Sequence, residues 1–519
     1  MTHSTDSAAL DGLELAEPHL GNVLSASGLD AEYVRAERNT LYLRDENGQE
    51  IPVLDFVGGF GSLILGHNHP EIVAYAKELL DAGTPVHAQF SRHPYANRAA
   101  AGLNRIVQRE TGTDEPYYAV FANTGAEAVE AAVKHAEFDR FRKLSALREE
   151  IEAHGEAARA AVLAGEAAVA DGRDIEDLLA EAARHNAGQL SRPPLFLTPE
   201  GSFHGKLVGS VQLTHNPAFR LPFQALAAQA RFVPLDQPEQ IAKIVEGERG
   251  VLLDPVVEGG SVTVAERAFP VFCAFVLEPV QGEGGINVVS EEFAREVQRV
   301  CAEIDCPVVV DEIQSGMGRT GAFLASSHTG LRGDYYTLAK SLGGGIAKTS
   351  VTLIRASRYC KDFELVHSST FAKDAFSTLI AIKVLELLEA DGGAAYRTVT
   401  ERGERLREAL EEVREEFPGV LKEVRGKGLM LGVEFHDQSG SASEIIAGVS
   451  QSGFLGYAVA GHLLRAHRLR LFPTGSAFNT LRLEPSLYLT DEEIGRLRTG
   501  LRGVCALLRD ADGEALVQP

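Results

Sequence analysis

The chain has 519 residues, with 50 Lys and Arg against 73 Asp and Glu, and a formal charge of −23. That acidic excess argues against nucleic acid or an anionic membrane surface as the main partner, and no apolar run reaches the ~18–20 residues of a membrane span. Residues 1–20 lack the basic and apolar stretches of a secretory signal, and five cysteines without a CxxC spacing read as reduced thiols, so a cytoplasmic protein of two or three domains is expected.

In chain order, the first expected elements are two strands, Leu41–Leu43 and Ile51–Leu54, joined at the hairpin signal Asn47-Gly48. A glycine-rich stretch, 58–66, precedes a helix over Pro70–Leu80. After Phe121 a cap at Asn123 or Thr124 opens a helix with apolar positions at 126, 129, 132 and 133. Residues 141–188 are rich in Ala, Glu and Arg. Their apolar residues recur at helical spacing, which predicts an inserted hairpin of two amphipathic helices separated by Gly165–Asp174.

Three apolar runs follow, 272–280, 307–313 and 335–339. They are too short for helices and too continuous for half-exposed strands, so they read as strands of a sheet covered on both faces. A helix over Glu291–Ile304 lies between the first two, which implies βαβ units. A long helix from Phe376 to Ala390, helices at 402–417 and 491–508, and strands at 428–435 and 480–484 complete the chain. The expected fold class is α/β: a mostly parallel central sheet with helices on both faces, and a smaller α+β domain. The expected division is 1–75 (part of the small domain), 76–375 (large domain, with the insertion at about 140–190) and 376–519 (the remainder of the small domain).

Ligands in such sheets sit beyond the carboxyl ends of the strands. Three candidates stand there: Glu278 to Glu283, Asp311 to Gln314, and Lys340 followed by Gly343-Gly344-Gly345. A lysine at the rim of a buried strand is desolvated and becomes a better nucleophile. Asp311, after Val308-Val309-Val310, is a charge that needs a partner, whether a cap, an arginine or a protonated ligand nitrogen. The helix opening at Thr124-Gly125-Ala126 offers free N–H groups to a phosphate. The stretch ending at Lys348-Thr349 lacks the glycines of a nucleotide-binding loop. His67 and His69 lack the further ligand that a metal would require, so no metal is expected.

Together these motifs resemble the class III aminotransferases, the pyridoxal 5′-phosphate (PLP) enzymes of fold type I that include ornithine, acetylornithine and 4-aminobutyrate aminotransferases. The resemblance rests on Gly66-His67-Asn68-His69-Pro70, Asn123 to Glu130, Ser202-Phe203-His204-Gly205, Glu278 to Gly285, Asp311 to Gly321, Leu338-Ala339-Lys340, His367 to Phe371 and Arg425 to Met430. It implies that Lys340 bonds the cofactor and shuttles the proton, and that Asp311 keeps the pyridine nitrogen protonated. Gln314 would sit near the phenolic oxygen, Phe203 would stack on the ring beside His204 and Glu278, and Thr124, Gly125 and Ala126 would hold the phosphate. Thr370 would reach the phosphate of a neighbouring subunit in a homodimer. Arg482 would bind the carboxylate of a 2-oxo acid, most simply 2-oxoglutarate, and Glu283 would pair with Arg482 when the amine occupies the site. Phe60 and Phe90 are expected in the pocket wall. A racemase, aminomutase or decarboxylase would use the same Lys340 and Asp311, and a catalytically silent binding protein on this scaffold is a further alternative.

Three departures stand out. Lys206 replaces the arginine that often follows Phe-His-Gly and grips a substrate carboxylate. Ala372-Lys373-Asp374-Ala375 replaces Gly-Gly-Asn-Pro. The insertion, lying between the phosphate turn and Phe203, is expected near the mouth of the site, either as a plain decoration or as a docking surface for a carrier-tethered substrate.

Overall fold

The computed structural model describes residues 17–518 apart from 46, 89, 90, 93, 227 and 228, and only the backbone of 224 and 226. Most of the leader expected over 1–20 therefore lies outside the described residues.

The central sheet has seven strands in the order Tyr117–Ala122, Ser350–Arg355, Tyr335–Leu338, Val308–Asp311, Phe272–Leu277, Leu195–Pro199 and Gln229–Val233. Only Ser350–Arg355 runs against its neighbours; the remaining pairings are parallel. Every residue of Phe272–Leu277, Val308–Asp311 and Tyr335–Leu338 is buried, as their unbroken apolar runs require of strands covered on both faces. The helix Glu291–Glu303 joins the first two of these. Ser290 caps it, Glu291 and Glu292 complement its dipole, and Phe293, Ala294, Val297, Val300 and Cys301 pack one face inward.

The two ends of the chain meet. Glu50–Asp55 closes an antiparallel trio with Tyr33–Glu37 and Thr40–Arg44, and Leu469–Arg470 adds to it in parallel. A second small sheet orders Leu421–Lys427, Met430–Phe435, Thr480–Leu483 and Phe472–Pro473, all antiparallel. The helices expected at 376–390 and 402–417 form one element, Ala375–Glu416, broken at Ala390–Gly393 where Asp391, Gly392 and Gly393 have positive φ.

The insertion differs from expectation in two respects. Its first helix is not separate: Gly125–Leu163 runs unbroken from the phosphate turn, a length of roughly 58 Å at 1.5 Å per residue. It also packs, with Ile175–Leu190, on an unforeseen hairpin, Val251–Glu258 and Ser261–Ala268, turned at Gly259-Gly260. Ala158, Val169, Ile175, Leu178 and Val262 form a small core of their own there.

The helix also settles where the insertion stands. Arg140 donates to Pro270 O just before Phe272–Leu277, and Lys143 pairs with Asp305 just before Val308–Asp311. These are the amino ends of the parallel strands. Residues 144–163 therefore lie ~28 Å or more along the axis from the phosphate turn, and the expected place at the site mouth is not met.

Candidate active site

Lys340, Asp311 and Glu278 stand at the carboxyl ends of three adjacent central strands. Asp311, 3% exposed, is held on both oxygens. Oδ2 lies 2.7 Å from His204 Nδ1, while Oδ1 accepts from Thr337 Oγ1 at 3.0 Å and from the Ile313 N–H at 3.1 Å. Burial works against charge on His204, yet the bond to Asp311 lifts its pKa above the ordinary value. Glu278 accepts from the N–H groups of Phe203, at 2.8 Å, and Gly282, at 3.0 Å, which ties the turn bearing Phe203 to the sheet. Burial pushes its carboxyl up to about 7.

Lys340 adopts a left-handed backbone, φ 47°, an unusual conformation for a residue with a side chain. Burial pulls its ammonium below the ordinary range, against the fields of Glu484, Glu283 and Glu278.

The phosphate turn is a capping box. Thr124 Oγ1 accepts from Glu127 N at 3.3 Å, and Glu127 Oε2 accepts from the N–H groups of Asn123, at 2.7 Å, and Thr124, at 3.1 Å. The N–H groups of Gly125 and Ala126, in the helix's first turn, have no acceptor within the helix. A Cβ on Gly125 would lie 2.9 Å from Ile313 Cγ2, so the turn packs this closely on the Asp311 strand only as glycine. A buried carboxylate, a lysine and a helix start with free N–H groups thus stand at the carboxyl ends of strands in one sheet. These residues fit PLP.

On the strand Thr480–Leu483, Arg482, 1% exposed, donates through both terminal nitrogens to Glu283 in a bidentate pair. Glu283 also accepts from Gly475 N at 2.6 Å. Burial disfavours charge on Glu283, but Arg482 holds its carboxyl below the usual range. Phe60 lies under the guanidinium at 5.0 Å and edges onto Phe472 at 5.9 Å, and Tyr457 packs edge-on against Phe472 at 5.9 Å.

The other expected residues have these partners. Lys206 is exposed, with its ammonium over the Phe219 ring at 4.3 Å. Gln314 turns its amide to Glu484. Phe203 packs against Phe219 at 6.3 Å. Asn123 Nδ2 donates to Ser369 Oγ at 2.8 Å, which draws the segment bearing Thr370 to the chain's own phosphate turn. Lys373 has a positive φ, 56°, and Asp374 caps the next helix through Ser377 N at 2.8 Å. His67 bonds Asp55 at 2.9 Å and His69 bonds Tyr488 at 2.9 Å, so both act in packing. Phe90 lies outside the described residues. Glu484, fully buried, is not among the expected site residues; it stands two positions beyond Arg482, just past the strand Thr480–Leu483.

The Aminotransferase class-III profile matches residues 25–503, and the chain belongs to that family. In structure it is similar to the ornithine aminotransferase of Toxoplasma gondii, at 20% identity and a TM-score of 0.66 over 98% of this chain and 99% of that one. It is also similar to the N-acetylornithine aminotransferase of Stenotrophomonas maltophilia, at 23% and 0.61 over 95% and 100%. A third similar structure is a PLP-bound amine transaminase from an uncultivated Pseudomonas species, at 21% and 0.66 over 96% and 97%. The shared fold is that of PLP-dependent fold type I, and the protein is a PLP-dependent aminotransferase.

Proposed function

We propose that this aminotransferase takes its amino group from an amine without a neighbouring carboxylate and passes it to a 2-oxo acid, 2-oxoglutarate being the expected acceptor, in a ping-pong cycle. The carrying observation is the closed Arg482–Glu283 pair beside Phe60, Phe472 and Tyr457, together with Lys206, which offers a carboxylate a point charge without the bidentate fork of an arginine. While Glu283 occupies the guanidinium, Arg482 is not free to take a donor carboxylate. When Glu283 turns out, the fork of Arg482 accepts the 2-oxo acid carboxylate.

PLP, when bound, supplies an electron-withdrawing ring that stabilises the negative charge left by deprotonation at the substrate Cα. Lys340 would take that proton. Asp311, oriented by His204 and Thr337, would hold a proton on the ring nitrogen. Gly125 and Ala126 would hold the phosphate with Thr124 beside them, and Phe203, whose turn Glu278 fixes, would restrict the ring's tilt.

We further read the chain as cytoplasmic and dimeric, with 1–75 and 376–519 forming the small domain and 76–375 the large. Five unpaired buried cysteines support the compartment, and the exposed Leu365, Val366 and Phe371 beside the phosphate turn support a partner surface. A carrier-tethered donor has less support, since the insertion stands at the amino ends of the strands.

Half-reactions followed by stopped flow test the donor. An arylalkyl amine is expected to discharge the cofactor's visible band at least tenfold faster than the matching α-amino acid, with glutamate appearing after 2-oxoglutarate is added. The reverse preference, or racemisation without glutamate, would refute the reading. For Thr370, co-expressed Lys340→Ala and Thr370→Ala chains regain one intact site per mixed dimer only if Thr370 acts across subunits.

A further inference from the structure

Glu484 follows the strand Thr480–Leu483 with its side chain fully buried. A carboxylate in that setting needs donors. Gln314 provides them: its Nε2 lies 2.9 and 3.0 Å from the two oxygens. Because a carboxylate only accepts, the Gln314 amide has one permitted orientation, nitrogen toward Glu484 and oxygen toward Gly282. Glycines on both sides make room for the pair. A Cβ on Gly61 would lie 2.8 Å from Glu484 Oε1, and one on Gly282 would lie 2.1 Å from Gln314 Oε1.

Three cations feel the Glu484 charge: Arg319, Arg482 and Lys340. Arg319 donates to the carbonyls of Leu429, Pro485 and Gly61, and Arg482 donates to Glu283. Lys340 is the cation whose charge state the chemistry uses.

The Ser341 hydroxyl donates to the carbonyl of that same Gly61 at 2.8 Å, which sets Glu484 beside the turn that begins at Lys340. We propose that Glu484 is a positioning residue of the transamination site: it locks the Gln314 amide in one orientation and places a buried negative charge beside the Lys340 turn. Burial lowers the basicity of Lys340. Among the groups facing it, Glu484 opposes that most, followed by Glu283, with Glu278 weaker and Arg482 acting the other way. The proposal rests on the family's cofactor chemistry and is independent of which amine is the donor.

The test uses the holoenzyme and reads the pH midpoint of the cofactor's visible band, with circular dichroism as the check on folding. Glu484→Gln keeps the length and an acceptor for Gln314 but removes the charge, and is expected to lower the midpoint by about one pH unit. Glu484→Asp keeps the charge and loses the reach; it should leave the midpoint in place while kcat falls several-fold. An unmoved midpoint in the Gln variant, or an equal shift in both, overturns the proposal. If the Gln variant does not load cofactor, Gln314→Leu decides: without its donor the buried Glu484 carboxylate takes up a proton and loses its charge, so the midpoint should fall, and no fall refutes the role.

Discussion

Two aspartates, Asp311 and Asp254, are almost equally buried, at 3% and 1% exposure, and each bonds a histidine. Asp254 lies in the outer hairpin under the insertion, where His154 Nδ1 is 2.9 Å away and Arg267 Nη1 donates at 2.8 Å while also reaching Glu150. A full guanidinium answers its charge, and the result is a clamp. Asp311 has only His204, a hydroxyl and one N–H, and it stands at the carboxyl end of a central strand beside Lys340. Burial and a histidine partner therefore do not mark chemistry by themselves. The sign of what surrounds the carboxylate, and the end of the strand it occupies, separate the two.

That contrast can be broken at several points. Lys340→Ala should lower transamination about 10^4-fold while circular dichroism stays unchanged; a surviving rate would place the chemistry elsewhere. Asp311→Ala should cost about 10^3-fold in kcat/KM.

Glu278 offers a pH-dependent test in the cofactor-free protein. Its folded pKa, pushed up to about 7 by burial, stands above the ordinary 4.5. The folded form thus binds the proton more tightly, and the stability this group contributes is fully present below pH 4.5 and is lost as pH rises through 7. Relative to Glu278→Gln, the wild-type protein should lose up to about 3 kcal/mol between pH 5 and 8 in urea melts. A constant difference across that range would show that the carboxyl titrates normally.

Asp254→Ala should destabilise the hairpin by about 2 kcal/mol, since Arg267 is partly solvated and keeps Glu150, and should leave kcat within about twofold of wild type. A loss of kcat comparable with that of Asp311→Ala would erase the distinction between the two aspartates. Gly125→Ala, which forces Ile313 to shift, should weaken cofactor binding about tenfold with little change in kcat.

Much of the site was legible in residue order. Asp311 and Lys340 follow runs of β-branched or aromatic residues too continuous for anything but covered strands, and Thr124-Gly125 announces a capped helix. The contact of Lys206 with Phe219 was not legible, because the turn after Ser210–Leu213 brings that ring alongside. Nor was Gln314–Glu484, whose partners are 170 positions apart. The hairpin over 251–268 carried a readable signal in Gly259-Gly260 between two strand-like runs, although Pro255 interrupts the first.

The sequence by itself determined the element types, the strand ends that hold the candidate residues and the family, because burial periodicity, turn residues and motif order are local properties of the chain. The tertiary structure alone decided which partner answers each buried charge: Glu283 for Arg482, the Gln314 amide for Glu484, Arg267 for Asp254. It also decided that the insertion stands at the amino ends of the strands. These pairings depend on distance through space in a low-dielectric interior, where one misplaced carboxylate costs more than any local preference can offset.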